Sequence, residues 1–393
     1  MNNTKGKVDV KPSDVGYDES RLDILNNHFG KLVDNNKIYG ATYCLSRKGQ
    51  TFASGSIGYK DYKKSVVVEP DDIHYIASMG KTFTAVAIMK LFEDGITRLD
   101  VPVGQILPQF NSPPFSGITL YHLLTHTSGM HPDGGCFPNK HNGGGYWYFI
   151  EQGYDACNNK DDFDWIAAAL AHGVCLKPNE QWMYCSFGFS ILGSVIEKLT
   201  GIKAEKFIED NICKPLGLND TAYHLNKKTA PRYMLQNEKA EKDVSNIMSG
   251  TISERTPPWD KIPMTSGGLK SSVYDMVRFG NMILNNGTID NTRILGRKAV
   301  EKMTDFAIML PNYCWDAGGV VREYGIGFDH RNDTGKYSFS ETTIMHEGAG
   351  ACALYIDPEE ELVAAWISPF VDMSDWCMEA MCNTINIIWS GLK

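Results

Sequence analysis

The 393-residue chain has no run of basic residues, and its formal net charge is −9. Nucleic acids and anionic membranes are held by clustered Lys and Arg, so neither is an expected partner. No apolar run reaches the roughly 18 to 20 residues that a membrane-spanning helix needs. The N-terminus, Met1-Asn2-Asn3-Thr4-Lys5-Gly6-Lys7, is polar with no apolar segment behind it. It therefore reads as lacking a secretory signal, and a cytoplasmic location is expected unless a signal has been removed. None of the ten cysteines forms a C-x-x-C pair. Most lie in apolar stretches, where Cys behaves as a small hydrophobe, and reduced thiols are the expectation. Phosphate-binding glycine motifs, the H-E-x-x-H of zinc hydrolases and the G-x-S-x-G elbow are also missing. There is no internal repeat.

Apolar composition is 42%, enough for a large core and two domains. Ile38 to Ser46 and Thr51 to Tyr59 are rich in β-formers and flank Arg47-Lys48-Gly49-Gln50, which predicts an antiparallel hairpin. Ala351 to Ile356 and Glu361 to Ser368 flank Asp357-Pro358-Glu359-Glu360 and predict a second. A helical C-terminus follows, from about Ser374 to Trp389. Strands near both chain ends with helices beside them predict an α+β sheet domain built from residues 1–110 and 265–393. Between them, Leu120 to Thr125, Phe163 to His172, Phe187 to Thr200 and Ala204 to Ile212 read as helices, with Gly201 a C-cap. Residues 111–264 are thus expected to form a mostly helical domain. The Gly-, Asn- and aromatic-rich segment from His131 to Asp162 reads as a long loop, either bordering a pocket or lying on the surface.

Chemistry enters at Ile76-Ala77-Ser78-Met79-Gly80-Lys81. A helix, apolar on nearly every side, follows as far as Phe92, and Asp94-Gly95 stops it. Ser78 and Lys81 are three apart and share a face. Alone, this spacing fits a helix cap with a snorkelling lysine as well as a nucleophile with its base. Burial separates the two. Bringing a lysine from a pKa of about 10.4 to near 7 costs about 4 to 5 kcal/mol, which desolvation can supply.

Further segments decide between the two. Ser78-Met79-Gly80-Lys81 resembles the active-site motif of the penicillin-recognising serine hydrolases. Leu123-Leu124-Thr125-His126-Thr127-Ser128-Gly129 is similar to the LLTHTSG segment of their class C β-lactamase-like branch. That branch includes family VIII carboxylesterases, D-aminopeptidases and DD-peptidases. Lys177-Pro178 through Tyr184-Cys185-Ser186-Phe187-Gly188 resembles its second motif. Pro215-Leu216-Gly217-Leu218, Gly267-Gly268-Leu269-Lys270-Ser271-Ser272 and the H-x-G of His346-Glu347-Gly348 follow in order. The resemblance covers residues 20 to 390.

It implies a β-lactamase/transpeptidase-like fold and an acyl-enzyme on Ser78, with no cofactor and no metal. Lys81 and Tyr184 would handle the proton, with either as the formal base. The backbone N–H groups of Ser78 and Ala349 would form the oxyanion hole, one at a helix start and one on an edge strand. Ser186, His346 and Gly348 would face the substrate, a small ester, peptide or β-lactam. Two positions depart from the pattern. Ser186 stands where Asn is common, and it has no amide donor. His346 replaces a lysine and is expected to be partly charged near pH 7. Ester or small-peptide hydrolysis is therefore expected over strong β-lactamase activity. The alternatives are a penicillin-binding sensor that acylates with little turnover, and a zinc site at His122, His126 and His131.

Overall fold

The computed structural model describes residues 3–393 except 135–144, 252–254, 306–307, 316, 331–336, 351 and 373–378. The strands are β1 (Asn3–Lys5), β2 (Gly40–Arg47), β3 (Gln50–Gly58), β4 (His74–Tyr75), β5 (Lys270–Ser271), β6 (Thr288–Ile289), β7 (Thr292–Arg293), β8 (Ile308–Asn312), β9 (Val320–Tyr324), β10 (Asp329–His330), β11 (Ile344–Gly348), β12 (Cys352–Asp357) and β13 (Leu362–Ile367). Nine of them form one antiparallel sheet in the order β1-β3-β2-β13-β12-β11-β10-β9-β8. β4 pairs with β5 and β6 with β7. The helices are α1 (Ser20–Asp34), α2 (Gly80–Glu93), α3 (Leu120–Leu124), α4 (Tyr146–Ala156), α5 (Trp165–Leu170), α6 (Ser186–Thr200), α7 (Ala204–Ile208), α8 (Glu238–Ser249), α9 (Val273–Leu284), α10 (Arg297–Thr304) and α11 (Thr384–Trp389).

Both expected hairpins are present. Their apolar runs are nearly continuous because the sheet is covered on both faces, and every residue of β2, β12 and β13 is buried. Side chains alternate between two cores. Leu362, Ala364 and Trp366 join the core beneath α1 and α11, with Trp366 stacked on Tyr355. Val363, Ala365 and Ile367 join the other core, with α2, α6 and α9. α9 lies close to that face because it carries Gly280 there. A Cβ at Gly280 would stand 2.5 Å from Val363 Cγ1 and 3.2 Å from Leu354 Cδ1.

Three expectations change. The segment from His131 to Asp162 is not all loop: α4 occupies Tyr146–Ala156 and buries Tyr146, Phe149 and Ile150 at helical spacing. Its residues 135–144 lie outside the described residues. The C-terminal helix starts, among the described residues, as a π-helical turn at Glu379–Asn383 before α11. Its expected residues 374–378 lie outside the description. The expectation of reduced thiols fails at Cys314, which is disulfide-bonded. Cys44, Cys157, Cys175, Cys185, Cys213, Cys352 and Cys382 are free. No helix among the described residues is long and apolar enough to cross a membrane.

Gly280→Val should lower stability by about 2 kcal/mol, since a branched side chain has no room between α9 and β13. A urea midpoint equal to wild type, at unchanged m-value, would show that the α9–sheet spacing relaxes freely.

Candidate active site

Three stretches of backbone meet at Ser78. Ser78 sits in a 3-10 turn, Ala77–Met79, directly ahead of α2. Ala77 before it takes φ 45°, a left-handed conformation that alanine adopts only at a cost. On one side, the Ile76 N–H donates to the Leu269 carbonyl at 3.0 Å, and β4 pairs with β5. A Cβ on Gly80 would come within 3.3 Å of the Gly267 carbonyl oxygen. The missing side chain of Gly80 thus lets the Gly267 backbone lie against the start of α2. On the other side, a Cβ on Gly348 would collide with the Ile76 carbonyl and stand 2.5 Å from Cys352 Sγ. Only glycine lets β11 end against the turn of the serine, and this places Ala349 beside it in sequence.

Lys81, one residue into α2, has 0% exposure. Its Nζ donates to Ser78 Oγ at 3.0 Å and to the Ser266 carbonyl at 2.7 Å. Burial lowers its pKa to about 8, against an opposing pull from Asp133. The Nζ lies 4.9 Å from the centre of the Tyr184 ring and 5.8 Å from that of Phe189. The expected pairing of serine and lysine is therefore in place, and the snorkelling alternative is excluded because no part of Lys81 reaches solvent.

Tyr184 ends an extended segment just before α6. Two hydrogen bonds from its neighbours hold it. The Met183 N–H donates to the His126 carbonyl at 2.8 Å, and the Cys185 N–H donates to His126 Nδ1 at 3.1 Å. His126 has φ 57°, is buried, and lies 4.5 Å from Tyr184 between ring centres. Burial and the Asp133 carboxylate push the Tyr184 phenol up, while hydrogen bonding to Ser78 and Ser186 pulls it down. The net shift is upward, so Tyr184 is a neutral phenol.

Sequence reasoning missed Asp133. Its backbone N–H donates to the Tyr184 carbonyl at 2.8 Å. Its carboxylate accepts from the Ser186 N–H at 2.9 Å and from Ser186 Oγ at 2.6 Å. Burial raises its pKa, and Lys81 and Ser186 counter this. The one available signal was an acid inside the segment suspected of bordering a pocket. Ser186, expected to face the substrate, has committed its single proton to Asp133.

His346 is in β11, 5% exposed, and its Nδ1 lies 2.8 Å from the Glu347 carbonyl. Burial, then Lys81, lowers its pKa to about 3. The expectation of partial charge at pH 7 is thereby corrected: the ring is neutral, because an imidazolium would be desolvated beside an ammonium. β11 is not the edge of the sheet, since β10 follows it. However, β10 pairs with Ile344 and Met345, so among the described strands His346 to Gly348 have β12 alone as a partner.

His122 and His126 serve the backbone. His122 Nδ1 accepts from the Thr119 N–H at 3.1 Å, and its Nε2 lies 2.9 Å from Asn179 Nδ2. His131 Nε2 lies 3.1 Å from the His172 carbonyl. No group of three metal-ligating residues converges among the described residues.

With this geometry in view, the family described as Beta-lactamase matches residues 25–371. The chain belongs to the beta-lactamase family. It is 31% identical over 208 residues to "Penicillin-binding protein 4*" of Bacillus subtilis (strain 168), covering 53% of this chain and 42% of that protein. It is 27% identical over 218 residues to "Esterase EstB" of Burkholderia gladioli, covering 52% of this chain and 51% of that protein. The chain thus spans about half the length of these relatives. The fold is similar to that of a penicillin-binding protein homologue from Caulobacter crescentus, with a TM-score of 0.72 at 16% identity, covering 98% of this chain and 100% of that one. This likeness shows the β-lactamase/transpeptidase-like fold that the motifs implied.

A buried lysine with a lowered pKa also bears on stability. Between about pH 8 and 10.5 the unfolded chain binds a proton at Lys81 that the folded chain does not. The Lys81 contribution to stability, read as wild type minus Lys81→Met, should therefore rise with pH across that window. Lys81→Met removes the buried charge and should be more stable at pH 7 by about 1 to 3 kcal/mol. Its advantage should shrink as pH rises to 10.5. Equal denaturation midpoints at pH 7 would mean that Lys81 is not desolvated.

Proposed function

We propose that this member of the family is a serine hydrolase that cleaves an ester or amide through an acyl-enzyme on Ser78. The hydrogen bond from the fully buried Lys81 to Ser78 carries this reading. In the free enzyme Lys81 is the proton acceptor, because its pKa lies near 8 whereas the Tyr184 phenol is pushed up. Ser78 Oγ bonds to the substrate carbonyl carbon and its proton passes to Lys81 Nζ. The oxyanion is held by the N–H groups of Ser78 and Ala349, at the start of a helix whose dipole favours negative charge. The bond to the leaving alcohol or amine then breaks. The leaving atom takes a proton from the Tyr184 hydroxyl, which Lys81 restores. Water repeats the sequence on the acyl-enzyme and frees Ser78.

The two expected domains, 1–110 with 265–393 and 111–264, would meet at this site. Ser78, Lys81 and His346 to Ala349 come from the first, and Asp133, Tyr184 and Ser186 from the second. A neutral His346 and a Ser186 bound to Asp133 leave neither the charge nor the amide that would grip a β-lactam carboxylate and side-chain amide. Carboxylesterase or D-amino-acid peptidase action is the reading favoured over strong β-lactamase action. "Esterase EstB" among the relatives supports it. A penicillin-binding sensor that acylates and stalls is the second reading, supported by the similarity to "Penicillin-binding protein 4*".

Ser78→Ala should abolish labelling by a fluorophosphonate probe, and a label retained on another serine would overturn the assignment. A panel of p-nitrophenyl esters, D-amino-acid amides and a chromogenic cephalosporin separates the readings. A hydrolase turns over after its burst, whereas a sensor stops at one equivalent.

The pH profile tests the base. Below about pH 8 Lys81 is protonated, so kcat/KM should rise tenfold per pH unit and level off above 8. Lys81→Arg, which stays charged, should lose several orders of magnitude. His346 should add no step between pH 6 and 7. A profile flat from pH 6 to 9 would remove Lys81 from the role of base.

A further inference from the structure

Three aromatic rings surround Tyr184 among the described residues. His126 lies 4.5 Å away, Trp315 5.3 Å and Trp182 5.8 Å, between ring centres. His126 and Trp182 are buried. The Arg322 guanidinium, ion-paired to Asp329, sits 5.2 Å over the Trp182 ring. Trp315 is different, because it is 53% exposed. It stands at the tip of the β8–β9 hairpin and takes φ 51°. A bulky residue at positive φ is an outlier that persists only where its surroundings enforce it.

Those surroundings are well anchored. Cys314, one residue before, is buried and disulfide-bonded, and its N–H donates to Asn312 Oδ1 at 2.8 Å. The Ala317 N–H donates to the Cys314 carbonyl at 3.1 Å across the turn. The Trp182 N–H donates to the Pro311 carbonyl at 3.0 Å, tying the hairpin to the segment that carries Tyr184. The register shows which face of the hairpin turns towards Tyr184. Ile308, Leu310 and Asn312 oppose Tyr324, Arg322 and Val320. Ile308 and Tyr324 form a small apolar cluster with Trp182, against which Tyr184 and Leu310 pack. By the two-residue alternation of a strand, Val320 shares this face, and it is 61% exposed. The wall beside Tyr184 therefore runs from a buried cluster to an open apolar end at Val320 and Trp315.

We infer that Trp315, with Val320, is a specificity-determining platform for a flat apolar leaving group. This deepens the proposed function and rests on it. The argument follows from where the proton goes. The leaving atom must come within about 3 Å of the Tyr184 hydroxyl to take its proton. The rest of the leaving group then extends along the rings that flank Tyr184. Two of these are buried, and the third presents an exposed indole. A planar apolar group covers that indole and gains stacking and desolvation. The acyl half, bonded to Ser78 with its oxygen between the two N–H groups, points away from this wall. The bonds made and broken are those of the acylation step already described.

The test compares acetate esters whose leaving groups are similarly acidic, phenyl acetate and 2-naphthyl acetate, on the wild type and Trp315→Ala. All acetates share one acetyl-enzyme, so differences in kcat/KM report acylation. The 2-naphthyl to phenyl ratio of kcat/KM should fall about tenfold in Trp315→Ala and recover largely in Trp315→Phe. The ratio of p-nitrophenyl octanoate to p-nitrophenyl acetate, which varies the acyl half, should move less than twofold. Equal losses on both aryl acetates would overturn the inference, as would a tenfold change in the acyl series. If Trp315→Ala does not fold by circular dichroism, Trp315→Leu replaces it under the same criteria. If wild-type Ser78 takes no fluorophosphonate and neither aryl acetate turns over, the proposed function falls and this inference with it. Labelling and turnover with unchanged aryl ratios overturn the inference alone.

Discussion

An ammonium-bearing side chain buried beside a serine is the constraint on which the rest of this site depends. Lys81 is out of contact with water, and its Nζ has a hydroxyl and a carbonyl as partners. Desolvation of this kind costs several kcal/mol while the group is charged, and the neutral amine is the form that can accept a proton. The neighbouring titratable groups follow from it. His126 and His346 are buried close enough to Lys81 for its charge to help hold them neutral. Tyr184 stays protonated. Asp133, with a smaller contribution from Cys185, pulls the other way and keeps Lys81 from falling further. The result is one cluster in which burial pushes each titratable group towards its uncharged form.

Such a cluster needs backbone brought unusually close. A Cβ on Gly348 would collide with the Ile76 carbonyl, and one on Gly80 would stand 3.3 Å from the Gly267 carbonyl oxygen, a tight contact that asks the backbone to give. These contacts explain why glycine stands at those two places. The serine turn is clamped between β5 and the end of β11, and the conformation of Ala77 at φ 45° is supported by that clamp. The positive φ of His126 has the same logic: it turns both its carbonyl and its ring towards the segment that carries Tyr184.

What was legible in the sequence was whatever has a local signature. The two central hairpins were read because both faces of the sheet are covered, which makes their strands continuous apolar runs with polar turns between. α2 was read because it is apolar all round. Ser78, Lys81 and Tyr184 were read from motifs, each ambiguous alone. Asp133 could not be read, because its role depends on Ser186, more than fifty residues away, and on no pattern of its own. Ser186 looked like a substrate contact for the same reason: only the fold shows that its proton is spent. α4 was hidden by the glycines before it, although Tyr146, Phe149 and Ile150 have helical spacing. The charge of His346 was misjudged because the ordinary imidazole value ignores its burial first and the nearby Lys81 second.

The direction of proton flow follows from the same surroundings. An apolar, aromatic environment lowers the pKa of a lysine and raises that of a phenol, since in each it disfavours the charged form. Around Tyr184 and Lys81 those rings are His126, Trp182, Trp315 and Phe189. Burial among them makes the lysine the better acceptor and leaves the tyrosine a donor. A tyrosine that donates has to meet the leaving group. The aromatic collar that sets these protonation states thus also decides which half of the substrate lies against Tyr184. The exposed Trp315 at the rim of that collar is where the leaving half is read.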